Sequence, residues 1–379
     1  MVNTMPTATQ PRINVVFVFG GQSSEHEISC LTAMGVLGAL DKDRFDACGI
    51  GISRDGRWVR YDAAAMAQLK PGSDGQLPQV DPTRRQAVLT RRDQQVVLST
   101  LEGDHLADSE SVDVALPLLH GPFGEDGTIQ GFFEMLGLPY AGAGVAASAI
   151  GMDKQLSKVA FAAAGLNVAP YVTLGALGHT WTAQQGMAAV DEAALEFPVY
   201  VKPARCGSSV GITKVDTRDG LPAALMIAAQ FDHKVLVEQG VSGREIECAV
   251  LGGAGGDTRV SHPGEIVMQV KGGFYDYEAK YLAADDAEVV VPADLPSDVV
   301  AAVRAAAALA FAAVDGDGLS RVDSFVLPDG TVVMNEINTM PGFTPISMYP
   351  RMWQAEGMSY QALISDLIDQ GLARPVWAR

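Results

Sequence analysis

SRVDSFVLPDGTVVMNEIN, residues 320–338, reads as two β-strands joined at Asp329-Gly330, the preferred pair for a two-residue type I′ turn. With that turn Pro328 faces Thr331, Asp323 lies opposite Glu336 and Arg321 lies opposite Asn338. All four side chains at the far end then share one face of the ladder. Directly opposed carboxylates repel each other, so a positive group belongs between them. Two carboxylates and an amide carbonyl on a rigid platform are hard oxygen donors of the kind that hold Mg²⁺ together with phosphates. Arg321, fixed in the same row, can stabilise negative charge that develops in a reaction. The other reading is a solvated face carrying a salt bridge; the strongly apolar flanking residues favour the metal.

Working outward, the chain alternates helices and strands. Ile13 to Phe19 is a run of β-formers ending at Gly20-Gly21, and Ser24 followed by Glu27 has the spacing of a capping box for the next helix. A second strand is expected over Val112 to Leu119 and a helix over Thr128 to Leu136, closed by Gly137. A further helix spans Asp153 to Ala164. Short strands follow at Val199 to Pro203, Val210 to Val215 and Val235 to Glu238. A helix near Asp298 to Val314 precedes the hairpin, and an amphipathic helix over Tyr360 to Leu372 ends the chain. This is an α/β pattern, with an open, parallel-type sheet in the first part.

The length, 379 residues, suits roughly two to three domains with clefts between them. The formal charge of −18 excludes the broad basic face that nucleic acid or an anionic membrane demands. An anionic nucleotide would need local cations. Neither a membrane span nor a secretory leader is legible, so a cytoplasmic protein is expected. Cys30, Cys48, Cys206 and Cys248 are too scattered for a disulfide framework or a zinc cage.

Lys202 follows the strand Val199–Val201, and the loop Ala204–Ser209 carries Gly207-Ser208-Ser209. Such a loop can offer backbone N–H groups and hydroxyls to phosphate oxygens, with the lysine as a point charge. Taken alone, it reads equally well as a hairpin turn with an exposed lysine. No GK pair occurs, which removes the Walker A loop. Gly142, Gly144 and Ala147 match a loose dinucleotide fingerprint, but neither a preceding β-run nor a ribose-binding acid accompanies them.

The ordered set GGQSSEHEIS, LHGPFGEDGTIQG, GMDK, VKPARCGSSVG, FYDYEAKY, SRVD and NEINTMPGFTPISMYP resembles the D-alanine–D-alanine ligase family of the ATP-grasp superfamily, from about Val15 to the final helix. The resemblance implies three domains, here 13–142, 143–238 and 239–379, the last two forming an α+β ATP-grasp unit around ATP. It implies ATP-dependent joining of two D-alanines for cell-wall peptidoglycan precursors, with two Mg²⁺ ions or Mn²⁺ in their place. The enzyme would act on small molecules, with neither nucleic acid nor membrane as partner, as a cytoplasmic homodimer.

Residue by residue, the resemblance assigns Lys154, Lys202, Ser209 and Lys280 to the phosphates, Glu238 and Val241 to adenine, and Glu245 to the ribose. Asp323, Glu336 and Asn338 become the metal ligands, as the hairpin had already suggested. Glu25 would hold the ammonium of the first D-alanine, linked to Ser208 and Tyr281, with His120 nearby. Arg321 and the N–H of Gly342 would form the oxyanion site, and Ser347 and Met348 would meet the second substrate. Gly272-Gly273 would hinge a closing loop. Gln239 and Cys206 depart from the usual pattern around adenine and in the phosphate loop. Relatives that form D-alanyl-D-lactate lack the tyrosine at the Tyr281 position, so a dipeptide is favoured over the depsipeptide. A non-catalytic ATP-binding regulator is the remaining alternative.

Overall fold

The computed structural model describes residues 11–253, 257–268 and 287–375. Strand Ile13–Gly20 sits inside a four-stranded sheet, parallel to Phe45–Ile52 on one side and to Val114–Pro117 on the other. Strand Trp58–Asp62 adds an antiparallel edge. The run Val15 to Phe19 is wholly buried, as expected of a strand covered on both faces. Helix His26–Ala39 follows, but the expected capping box is absent: Glu25 is the cap residue, without a side-chain cap bond. Its N–H is taken by Ser23 Oγ at 3.2 Å, and Glu27 instead receives two bonds from Arg54 at 2.6 and 2.7 Å. A three-stranded antiparallel sheet, Ala87–Arg92, Gln95–Glu102 and His105–Val112, packs beside this unit and was not singled out by the sequence.

The middle of the chain forms a second, antiparallel four-stranded sheet in the order Thr213–Val215, Val199–Pro203, Val235–Gln239, Tyr171–Leu174. The strand expected from Val210 is cut short. Ser208 and Ser209 have φ of 51° and 58°, and Gly211 has 73°, so the chain turns tightly before Thr213. Arg244–Gly252, Gly264–Met268, Ala287–Val290, Gly318–Val326 and Val332–Asn338 build a six-stranded sheet with the short strand Arg259–Val260.

The hairpin at the end of that sheet reaches the expected pairing by a different route. Asp329 is not at positive φ, as a type I′ turn would require, whereas Gly330 is at 85°. Leu327 N–H bonds to Thr331 O and Gly330 N–H to Leu327 O, both at 2.9 Å, giving a three-residue loop rather than a two-residue one. Near the loop the register is therefore one residue from expectation, with Val326 opposite Val332 and Ser324 opposite Met334. Asn335 is the extra residue of a bulge, and beyond it Asp323 faces Glu336 and Arg321 faces Asn338.

Helices Val145–Met152, Lys154–Ala163 and Ser297–Ala313 cover one face of the six-stranded sheet, sharing a core of Ala147, Phe161, Phe311, Val322 and Ile337. Helices Met348–Ala355 and Tyr360–Ala373 return to the N-terminal sheet, where Trp353, Leu363 and Ile364 join Phe17 and Phe19. Gly318, at φ 70°, lets the sheet approach Gly142 so closely that a Cβ there would lie 2.5 Å from the Gly142 Cα. Cys30, Cys48 and Cys248 are buried free thiols and Cys206 is half-buried. Among the described residues, no helix is long and apolar enough to cross a membrane.

Candidate active site

Three carboxylates stand in one row across the six-stranded sheet. Glu247 is opposite Asp323, and Asp323 is opposite Glu336. Arg321, one pair further along, bends back over the row. Its Nε and Nη2 donate to the two oxygens of Asp323 at 2.7 Å each, and Nε lies 3.1 Å from Glu247 Oε2. Burial works against the charged guanidinium, yet Asp323 and Glu247 outweigh it and hold its pKa far above the ordinary value. Asn338 Nδ2 donates to Asp323 Oδ2 at 2.9 Å. The positive charge predicted to separate the acids is thus supplied by protein: Arg321 on one side and Lys154, 3.1 Å from Glu336 Oε2, on the other.

Lys154 opens the helix Lys154–Ala163, whose cap is Asp153; that carboxylate accepts from the N–H groups of Gln155 and Leu156 at 3.1 Å. Asp153 is itself held by Lys234 at 2.8 Å. The lysine is therefore aimed by a fixed helix end. One turn on, Lys158 is buried at 1% exposure and pairs with Glu238, which also pairs with Lys202. Burial alone would raise the Glu238 pKa, but Lys202 and Lys158 bring it below the usual carboxylate value.

Two adjoining cavities meet at Lys154, Ser209 and Glu336. The larger, about 200 Å³, lies between the second sheet and the carboxylate row, with Lys202, Glu238, Val241, Glu245 and Asp323 on its walls. The smaller, about 90 Å³, lies under the N-terminal unit, with Glu25, His120, Ser208, Arg321, Asn338 and Gly342 around it. The loop between them carries the consecutive positive-φ residues Ser208 and Ser209, a conformation that costs roughly 1 kcal/mol or more per residue and gathers at functional sites.

The N-terminal unit enters through two loops. Glu25 is 8% exposed at the helix cap, and Cβ atoms added to Gly207 and Gly121 would lie 3.4 and 3.6 Å from its Oε2. His120 donates from Nδ1 to Met340 O at 3.0 Å, the bond a carbonyl partner requires. Its Nε2 is buried beside the small cavity without a protein partner. Glu125 accepts from the N–H groups of Gly121 and Met340 at 2.8 and 3.2 Å. Burial, then the charge of Glu25, pushes its pKa up to about 8.

Of the residues named from sequence, Ser347 and Met348 line neither cavity. Ser347 Oγ bonds to Thr344, and Met348 is packed in the N-terminal core. Lys280, Tyr281 and the Gly272-Gly273 hinge lie outside the described residues. Gln239 lines the larger cavity and accepts from Glu196 N–H at 3.0 Å, while Cys206 lines the smaller one and its carbonyl accepts from Lys154. Sequence reading missed Glu247, Lys158, Glu125 and His26. The first two were legible as i+2 on a strand from Glu245 and i+4 on a helix from Lys154. His26 is fully buried, donating from Nδ1 to Gly21 O at 2.7 Å and accepting from Val80 N–H at 3.0 Å.

Comparison with known proteins matches residues 14–143 to the D-ala D-ala ligase N-terminus and residues 160–369 to the D-ala D-ala ligase C-terminus. The chain belongs to the D-alanine–D-alanine ligase family. Among its relatives, the D-alanine–D-alanine ligase of Kocuria rhizophila is 51% identical, over 98% of this chain and 97% of that protein. The enzyme of the same name from Kineococcus radiotolerans is 50% identical, over 98% of this chain and all of the other. Solved structures with this ATP-grasp fold include the D-alanine–D-alanine ligase of Coxiella burnetii, with TM-score 0.77, 32% identity and coverage of 96% of this chain and 94% of that one. The VanG D-Ala:D-Ser ligase of Enterococcus faecalis superposes with TM-score 0.78 at 32% identity, over 95% of this chain and 100% of the other. Family membership thus coincides with the cavities, carboxylate row and lysines described above.

Proposed function

We propose that this protein joins two D-alanines into D-alanyl-D-alanine at the expense of ATP, for peptidoglycan precursors, through an acyl-phosphate. The observation that carries this reading is the junction of the two cavities at Lys154, Ser209 and Glu336, beside Arg321 and Asp323. A nucleotide in the larger cavity would place its terminal phosphate where the smaller one begins. The depsipeptide alternative shares this geometry. A purely regulatory ATP-binding module has no use for a guanidinium buried beside a second, amino-acid-sized cavity.

In this reading Glu238 and the Val241 backbone meet adenine, Glu245 meets the ribose, and Lys202, Lys154, Ser209 and Lys280 neutralise the phosphates. Asp323, Glu336 and Asn338 offer hard oxygens, and no group of three or more His, Cys, Asp or Glu side chains suited to a metal occurs among the described residues. Such a sparse donor set fits Mg²⁺, or Mn²⁺ in its place, shared with a nucleotide's own phosphates. Bound there, the ions would offset charge on the transferring phosphoryl group.

Glu25 holds the ammonium of the first D-alanine, with Ser208 and Tyr281 completing the contact, and His120 Nε2 stands nearby. The carboxylate oxygen of that D-alanine attacks the γ-phosphorus and ADP leaves, giving the acyl-phosphate. The amine of the second D-alanine then attacks the carbonyl carbon. Arg321 and the Gly342 N–H stabilise the oxyanion, phosphate leaves, and the amine gives up a proton. Water would hydrolyse the acyl-phosphate, so the site must exclude it while the second amino acid attacks. The three parts 13–142, 143–238 and 239–379 frame this chemistry in a cytoplasmic homodimer. Incubation with ATP, Mg²⁺ and D-alanine should release ADP and form D-alanyl-D-alanine, with no preference for added D-lactate at neutral pH. Preference for the mixed pair would overturn the dipeptide, and ATP binding without turnover on any D-amino acid would overturn the enzyme.

A further inference from the structure

Lys158 is one of the largest fully buried side chains in the molecule, yet it lines neither cavity. Its ammonium pairs with Glu238 from strand Val235–Gln239 and donates to the carbonyl of Asn335, at 3.3 Å, from strand Val332–Asn338. These strands belong to the two sheets that face each other across the larger cavity, and Glu238, Asn335 and Glu336 all line it. Asn335 is the bulged residue immediately before Glu336. A buried ammonium is costly unless charge and hydrogen bonds satisfy it, so its partners are held in place as firmly as it is.

We propose that Lys158 is a positioning residue for the nucleotide: from behind the cleft, one ammonium fixes the Glu238 carboxylate on one wall and the Asn335 bulge on the other. The inference rests on Glu238 meeting the base. Glu238 also holds Lys202, a lysine on the cavity wall. With Lys158 as a second, permanent partner, Glu238 stays ionised and oriented when Lys202 turns toward phosphate. A fixed carboxylate acceptor at the base favours a purine bearing an exocyclic amine, such as adenine, over one bearing a carbonyl, such as hypoxanthine. Lys154 acts on Glu336 directly; Lys158, one helical turn away, acts through Glu238 and the bulge.

The test compares Lys158→Met, Glu238→Gln and the double variant with the wild type in full-length protein. Melting temperature, calorimetric affinity for ATP and ITP without amino acid, and the KM for ATP and for D-alanine are measured. Loss of a charge-assisted contact predicts about a tenfold weaker ATP affinity in Lys158→Met and a smaller ATP-over-ITP preference, with the D-alanine KM within about twofold. The double variant, in which neither position 158 nor position 238 carries a charge, should match Glu238→Gln rather than add to it. If Lys158→Met is too unstable to purify, that double-versus-single comparison decides: further loss of ATP preference in the double variant overturns the coupling. Lys158→Met binding ATP and ITP like the wild type also overturns it. If Glu238→Gln keeps full ATP preference, the role of Glu238 at the base fails instead.

Discussion

Asp323 faces Glu336 across an antiparallel pair, although its neighbour Ser324 faces Met334. The bulge at Asn335 makes this possible, and bulges commonly re-aim a side chain beside an active site. The ladder Glu247, Asp323, Glu336 would be self-repelling without Arg321 and Lys154, which take up the charge.

Neutralising Glu336 removes a cleft carboxylate while leaving its shape. Its side chain is 23% exposed and lines both cavities, so water can reach the Lys154 ammonium that the substitution leaves behind. Glu336→Gln should lower kcat at least about 100-fold while shifting Tm by no more than about 3 °C. Steady-state kinetics beside a thermal melt checks both, and near-wild-type turnover would remove Glu336 from the chemistry.

Arg321 is shared between Asp323 and Glu247. Without the Glu247 charge, the guanidinium falls wholly to Asp323 and competes there with a cation. Glu247→Gln should therefore raise the Mg²⁺ concentration for half-maximal activity about fivefold or more, a competition worth roughly 1 kcal/mol. A magnesium titration at saturating ATP reads this directly, and an unchanged midpoint would argue against a cation at Asp323.

His26 serves both Gly21 and Val80 only as a neutral ring, and burial holds its pKa below the ordinary value despite the bond to Gly21 O, which opposes the shift. The unfolded chain then binds more protons than the folded one below about pH 6.5, so stability is complete above that value and falls as pH drops toward the folded pKa. His26→Leu should be less stable at pH 7.5, by about 1–3 kcal/mol for the groups left unpaired, and its melting temperature should depend less on pH between 7.5 and 5. Parallel pH curves for the two proteins would contradict this.

Much of the site was legible because its residues follow strand and helix periods. The opposition of Asp323 with Glu336 and of Arg321 with Asn338 was read correctly, but from a turn that does not form: a longer loop and the Asn335 bulge displace the register by one residue and then restore it. Neither compensation has a marker in composition. The capping box failed because the helix begins one residue later, with Glu25 as its cap residue, and because Arg54, from a distant turn, takes the Glu27 carboxylate that the box needs. The spacing of Glu247 from Glu245 and of Lys158 from Lys154 puts each on a shared face, but only the packing of separate strands and a helix reveals which distant charge each answers. Lys154, Lys202, Glu25 and Gly342 were reached through the family's motifs, and the fold brings them to the two cavities.

The chemistry rests on attack of a D-alanine carboxylate oxygen on the γ-phosphorus. Turnover of D-alanine carrying ¹⁸O in its carboxylate, followed by mass analysis of the released phosphate, tests this most directly. The account predicts one ¹⁸O in phosphate for each D-alanyl-D-alanine formed, with transfer lost in Glu336→Gln; unlabelled phosphate accompanying dipeptide formation would contradict it.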